Sequence, residues 1–391
     1  MFSDACMETR ARKRTRETRE RDLDGGEAIT GLPNDIVVTL ILRSEYFDDP
    51  ADLARLPAVS RAMRGAVAAT GLRFKELREW DAAQLGCLSA VQRLYRGCRL
   101  SREELLCVAA ARGGYLEELK LLRADGCPWN EWTCDYAAYG GHLEVLQWAH
   151  ANGCPCSEKT CMRAASVGHL EVLQWARANG CPWGTSTCLM AARGGHLEVL
   201  QWVRANGCLW NWATCAYAAG GGHLEVLQWA RASRCPWNDF TCTMAAKGGH
   251  LEVLQWAHAN GCPCDEMELH IATGAGHEAV VRALIELGAD INTAVQNDAT
   301  PLFIAARNGH KAVVRALIQA GTDINKAGDN GVTPLYIAAQ NRHEAVLRAL
   351  IKAGADVNKA MDNGWTPLLI AAQNGHQAVV RALIELGANE G

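Results

Sequence analysis

An all-α solenoid of stacked helix pairs is the fold this sequence predicts, and three observations predict it. GHLEVL and its variants place His142, His169, His196, His223, His250 and His277 at a constant step of 27 residues, and His310, His343 and His376 follow at a step of 33. Periods of this size belong to stacks in which each unit buries its apolar face only against its neighbours. Each period also carries two short apolar stretches broken by Gly, such as WTCDYAAYGGH and then LEVLQWAHANG. Finally, the 391 residues are 49% apolar and 21% charged, an ordinary globular composition with ample material for a core.

The totals also narrow the partners. A net charge of −4 gives no dense field of Lys and Arg for phosphate, so no nucleic acid is expected. No apolar run approaches the roughly 18 residues that span a bilayer, so no membrane partner is expected either. The N-terminus lacks the apolar stretch of a signal peptide, and the 17 cysteines are therefore read as reduced thiols in the cytoplasm or nucleus.

Taken in order, residues 1–28 are charged and poor in apolar residues, which predicts a disordered tail; its Arg10–Arg21 stretch reads as a solubilising run or a nuclear-import signal. Residues 29–80 read as a small helical module. Pro33 opens one helix that carries Ile36 and Leu40, and Asp49-Pro50 opens a second with Leu53, Leu56 and Val59 on one face. The 27-residue units occupy 81–264. In the unit at 130–153, Asn130 is the expected N-cap of a helix over 131–139, a second helix follows over 143–151, and Gly153 terminates it. Asn130, Ser157, Asn211, Asn238 and Asp265 fall in one N-cap slot, with Gly184 the exception. The 33-residue units occupy 265–391. There TPLFIAARNGH, TPLYIAAQNRH and TPLLIAAQNGH supply a Thr cap, a Pro preset for the first turn and a small-residue face.

These 33-residue motifs closely resemble ankyrin repeats over residues 265–391. The resemblance implies a helix-pair solenoid with short β-hairpin fingers in the C-terminal third. The 27-residue units fit the same frame with the finger tip deleted. Residues 29–67, with LPNDI and LARLPAVSR, resemble an F-box, although the LRSEYFDD connection is longer than usual. That resemblance implies docking onto the adaptor of a cullin-type ubiquitin ligase through Leu32, Pro33, Ile36, Leu40, Leu53, Leu56 and Val59. The alternative is that these helices only cap the apolar end of the solenoid.

The repeated Cys, His and Trp read as packing code. Cys107, Cys134, Cys161, Cys188, Cys215 and Cys242 share a slot that later holds Leu269, Leu302, Leu335 and Leu368, so Cys acts there as a small core hydrophobe. Trp148, Trp175, Trp202, Trp229 and Trp256 take the slot of Ala283, Ala316, Ala349 and Ala382, which reads as an exchange that conserves core volume. A zinc reading is weighed against this. Cys154, Cys156 and Cys161 with His169 would supply three thiolates and an imidazole, and Cys262 and Cys264 repeat the Cys-Pro-Cys pattern. Most units carry Trp at the second of these cysteines, so no metal, and no other cofactor, is expected. No nucleophile elbow, P-loop or zincin motif stands outside the repeats, so an enzyme is not expected.

Target binding is assigned to slots that vary while the frame stays constant. Tyr139, Arg193, Lys247 and Arg307 follow the Ala-Ala pair, and Trp132, Lys159, Phe240 and Trp365 stand at the start of the first helix. The expected function is non-catalytic protein binding, as a ubiquitin-ligase substrate receptor or as an ankyrin scaffold with no ubiquitin link. The apolar last helix, QAVVRALIELG, adds self-association as a further expectation.

Overall fold

The computed structural model describes residues 79–88, 91–92, 95, 102–265, 267–295 and 298–389. Among these residues 21 α-helices make up almost all the regular structure, and the one bridge between extended residues joins Val295 and Ala299. The fold class is an all-helical repeat solenoid. The fingers expected near the C-terminus are tight turns, closed by single backbone bonds such as Met361 N to Trp365 O at 2.9 Å.

Two compact units divide the chain. The first holds residues up to Ala164 together with His169–Pro182; the second holds Ala165–Gly168 and everything from Trp183 onward. In the first, helix Glu79–Gln84 precedes the pairs Glu104–Arg112 with Leu116–Ala124 and Glu131–Gly140 with Leu143–Ala151. Helix Glu158–Ser166 starts in this unit, and Leu170–Ala178 belongs to it. The second unit continues through seven pairs, from Thr185–Arg193 with Leu197–Ala205 to Pro367–Gln373 with Gln377–Glu385. The change of period from 27 to 33 residues lies within it.

Local chemistry sets the helix ends. Asn130 and Asn211 accept the N–H of Trp132 and Ala213 at 3.0 Å, Ser157 accepts that of Lys159 at 3.1 Å, and Asp265 accepts that of Met267 at 2.8 Å. Thr300, Thr333 and Thr366 cap in the same way, each followed by Pro in the first turn. Asn238 departs from expectation: its Oδ1 is buried and caps nothing. The terminating glycines sit in the left-handed region, Gly153 at φ 85°, where a side chain is strained.

Both helices of each pair build the core, the second helices through Leu146, Leu173, Leu200 and Leu227. Cys134, Cys161, Cys188, Cys215 and Cys242 are fully buried, as are Leu302 and, nearly so, Leu269 and Leu335 in the same slot. Buried Ala pairs such as Ala137–Ala138 and Ala218–Ala219 let neighbouring first helices come close. The Trp series does not fill this core. Trp148, Trp202, Trp229 and Trp256 are half-buried and meet Trp129, Trp183, Trp210 and Trp237 edge-on at 5.7–6.0 Å. The large indole needs an outer shelf, and the loop Trp supplies it; core volume is therefore not what couples Cys to Trp.

Candidate protein-interaction surface

One contact fixes the backbone on which the variable side chains stand. His142 Nε2 lies 3.1 Å from the carbonyl oxygen of Arg112, the last residue of the preceding first helix. The same bond joins His196 to Ser166, His223 to Arg193, His250 to Gly220 and His277 to Lys247 at 3.0–3.2 Å. It persists across the change of period, from His310, His343 and His376 to Gly274, Arg307 and Gln340 at 2.9–3.0 Å. A carbonyl only accepts, so each ring donates from Nε2 as the corresponding tautomer. All of these rings but that of His376 also fill space that glycine leaves: a Cβ on Gly114 would come within 2.7 Å of the His142 ring, and one on Gly141 within 2.6 Å of His169.

The residue whose carbonyl is held is the variable one. Arg112, Ser166, Arg193, Gly220, Lys247, Arg307 and Gln340 differ in side chain while their backbone is clamped by an identical imidazole. Such an arrangement presents different chemistry from a rigid frame, which lowers the ordering cost of binding.

In the first unit, Trp132 and Tyr139 of the expected set join an aromatic group. Trp80 meets Trp132 edge-on at 4.8 Å and Tyr136 at 6.1 Å, and Tyr136 meets Tyr139 at 6.4 Å. Arg112 lies over Tyr139 at 4.6 Å, and Arg163 lies over Tyr136 at 4.0 Å while donating to its hydroxyl at 3.2 Å. Lys159 is exposed. In the second unit, Phe240 is 39% exposed and stacks edge-on at 5.7 Å with Trp212, which is 43% exposed. Arg193 faces the ring of Tyr217 at 5.9 Å. Lys247 and Arg307 are exposed, and Trp365 is half-buried in a finger turn.

Sequence reasoning missed Trp80, Tyr136, Trp212 and Tyr217. Tyr136, Arg163, Met190, Tyr217 and Met244 occupy a third slot at a 27-residue step, and its variability was the available signal. The expected adaptor-binding residues Leu32, Pro33, Ile36, Leu40, Leu53, Leu56 and Val59 lie outside the described residues. On the second helices, Arg282 is engaged by Glu278 at 2.9 Å and Gln319 at 3.0 Å, and Arg348 by Glu344 at 2.9 Å and Glu385 at 3.2 Å. Those cations are occupied within their own face.

The cysteines divide differently from the zinc reading. Cys154 reaches the Asn130 carbonyl at 3.2 Å and Cys161 that of Cys181 at 3.9 Å, so Cys154, Cys156, Cys161 and His169 do not share one centre. Cys156 lies 3.5 Å from His150 Nδ1. Hydrogen bonds with Cys134 and Cys181 and the nearby His150 hold the Cys156 thiol well below the usual range.

The family model described as Ankyrin repeats (3 copies) matches residues 242–328 and 325–390. That span is a run of ankyrin repeats, a module that binds other proteins. The match opens at Cys242, inside the last 27-residue period, and the His-to-carbonyl bond also recurs ahead of the matched span, back to His142. No curated protein matches the chain. No helix among the described residues is long and apolar enough to cross a membrane.

Proposed function

We propose that this protein is a non-catalytic scaffold that holds a target protein against the first-helix face of its repeats. The observation that carries this reading is the pairing of clamped, variable positions with exposed aromatics, above all Trp212 against Phe240. Exposed aromatic and Arg anchors on a rigid base are the side chains that dominate protein interfaces. The finer reading is a substrate receptor of a cullin-type ubiquitin ligase, with residues 29–80 docking the adaptor and the repeats choosing the target. It rests on the F-box-like LPNDI and LARLPAVSR stretches.

Two measurements test the two levels. Proximity labelling in cells, comparing the full chain with a Trp212→Ala/Phe240→Ala variant of unchanged circular dichroism, reads the face; a labelled set identical in both would refute it. A binding assay with a purified ligase adaptor reads the receptor. Binding that the Leu32→Ala/Pro33→Ala/Ile36→Ala variant loses supports the receptor, and no binding by the intact chain leaves the scaffold alone. The last helix pair leaves Leu369, Ile384 and Leu386 exposed, and self-association there would appear as a concentration-dependent mass in sedimentation.

A further inference from the structure

One junction between repeats departs from the frame in three places at once. Elsewhere the loop carries Arg and then Trp, with Arg123, Arg204 and Arg231 lying 4.1–4.2 Å over Trp129, Trp210 and Trp237. Only HANGCPC at 150–156 and again at 258–264 replaces both residues, with His and Cys. The second copy adds a further change. Its buried Thr slot, occupied by Thr133, Thr160, Thr187, Thr214 and Thr241 in the five preceding units, becomes Glu268.

Glu268 is 2% exposed, yet its position does not need a carboxylate. One oxygen accepts the N–H of Asp265 at 3.2 Å and closes a capping box. In the sister unit the hydroxyl of Thr160 accepts the N–H of Ser157 at 3.1 Å and does the same work without a charge. The carboxylate instead brings an oxygen beside two thiols. Cys242 Sγ and Cys264 Sγ are 2.8 Å apart, and both sulfurs and a Glu268 oxygen lie within 4.8 Å of one another. Asp265 and Asp239 add negative charge around Glu268. Three ligand atoms gathered in an acidic setting call for a cation.

We propose that Cys242, Cys264 and Glu268 form a binding site for a thiophilic divalent metal ion, of which Zn²⁺ is the best fit. Two thiolates and a carboxylate suit tetrahedral Zn²⁺, with metal–ligand distances of about 2.3 Å to sulfur and about 2.1 Å to oxygen. Seating the ion displaces the two thiol protons and the carboxyl proton and moves the sulfurs apart to roughly 3.7 Å, the edge of such a tetrahedron. Cys242 lies on helix Asp239–Gly248 and Cys264 at the end of the loop that closes that repeat, whereas Glu268 lies on the first helix of the next, Met267–Ala275, so the ion would clip two repeats where the period lengthens. The first Cys-Pro-Cys copy carries Thr160 in place of the carboxylate, and its hydroxyl is committed to Asp135 at 2.7 Å. One ion per chain is therefore expected.

The test titrates Co²⁺ and then Zn²⁺ into the full chain, purified under reductant and stripped by chelator. Thiolate-to-cobalt charge-transfer absorption saturating at one equivalent, and bleached by Zn²⁺, is the expected result. Cys264→Trp and Glu268→Thr each install the residue other repeats carry in that slot, so both keep the fold. Cys264→Trp should abolish the absorption, and Glu268→Thr should weaken affinity at least about tenfold. No stoichiometric metal, binding unchanged in both variants, or a Cys242–Cys264 disulfide in protein handled under reductant would each overturn the site.

Discussion

His142 and Arg112 are thirty residues apart in sequence and joined by a single 3.1 Å bond from an imidazole N–H to a main-chain carbonyl. The ring lies where Cβ atoms on Gly114 or Gly140 would collide with it, so the His and the glycines around it form one device. His142→Ala removes the bond and opens the space, and it should cost about 1–3 kcal/mol in urea unfolding. The loss should appear first as faster amide exchange in helix Glu104–Arg112, because a repeat stack can open locally.

The same residue carries a pH signature. Burial, and then the charge of Arg112, lower the His142 pKa, partly offset by the bond to the Arg112 carbonyl. The folded state therefore binds this proton less readily than the unfolded chain. Stability from this site is complete above the unfolded value of about 6.5 and is lost as pH falls through the lowered folded value. Urea midpoints at pH 7.5 and pH 5.5 should differ less in His142→Asn than in the parent protein; an identical difference would exclude His142 as the source.

Asp135 works in the opposite direction. It is fully buried, accepts hydrogen bonds from Ser157 at 2.9 Å and Thr160 at 2.7 Å, and leaves Oδ2 without a partner. Burial raises its pKa despite those bonds, so its contribution is greatest in acid and declines as pH rises past the unfolded value of about 3.9. Asp135→Asn should accordingly raise the urea midpoint at pH 7 and lose that advantage at pH 3.

Arg234 occupies a slot held by Gly153, Gly180, Gly207 and Gly261, at φ 62° against 76–85° for the glycines. A Cβ at those glycines meets nothing within 4 Å, so the cost to Arg234 is backbone strain alone. Arg234→Gly should stabilise the fold by about 0.5–1 kcal/mol, the left-handed penalty less the added unfolded-state entropy. Thermal unfolding reads this directly, and a lower melting temperature would contradict it.

The loop pairs should behave as pairs. His150→Arg and Cys156→Trp made together recreate the Arg-over-Trp contact seen at Arg204 and Trp210, whereas either change alone leaves a mismatched partner. A double-mutant cycle should give a favourable coupling of about 0.5–1 kcal/mol. Zero coupling would mean that the two positions vary independently.

Much of this architecture was legible in the amino acids alone. The helices of the unit at 130–153 were expected at 131–139 and 143–151 and are found at Glu131–Gly140 and Leu143–Ala151. Caps, Pro and left-handed Gly act within a turn or two of their own position, so the local chain determined those boundaries. Trading of Cys with Leu in one slot likewise revealed the core, because burial follows from chemical type and period. The tertiary structure decided what depends on stacking one period onto the next. The Trp series looked like core filler but rests on an outer shelf of loop Trp; the repeated His reads as packing code, and only stacking reveals that it packs on a carbonyl one unit back. The gathering of Cys242, Cys264 and Glu268 was hidden for the same reason. Contacts across twenty to thirty residues depend on the rotation and rise between neighbouring repeats, quantities that no single period contains.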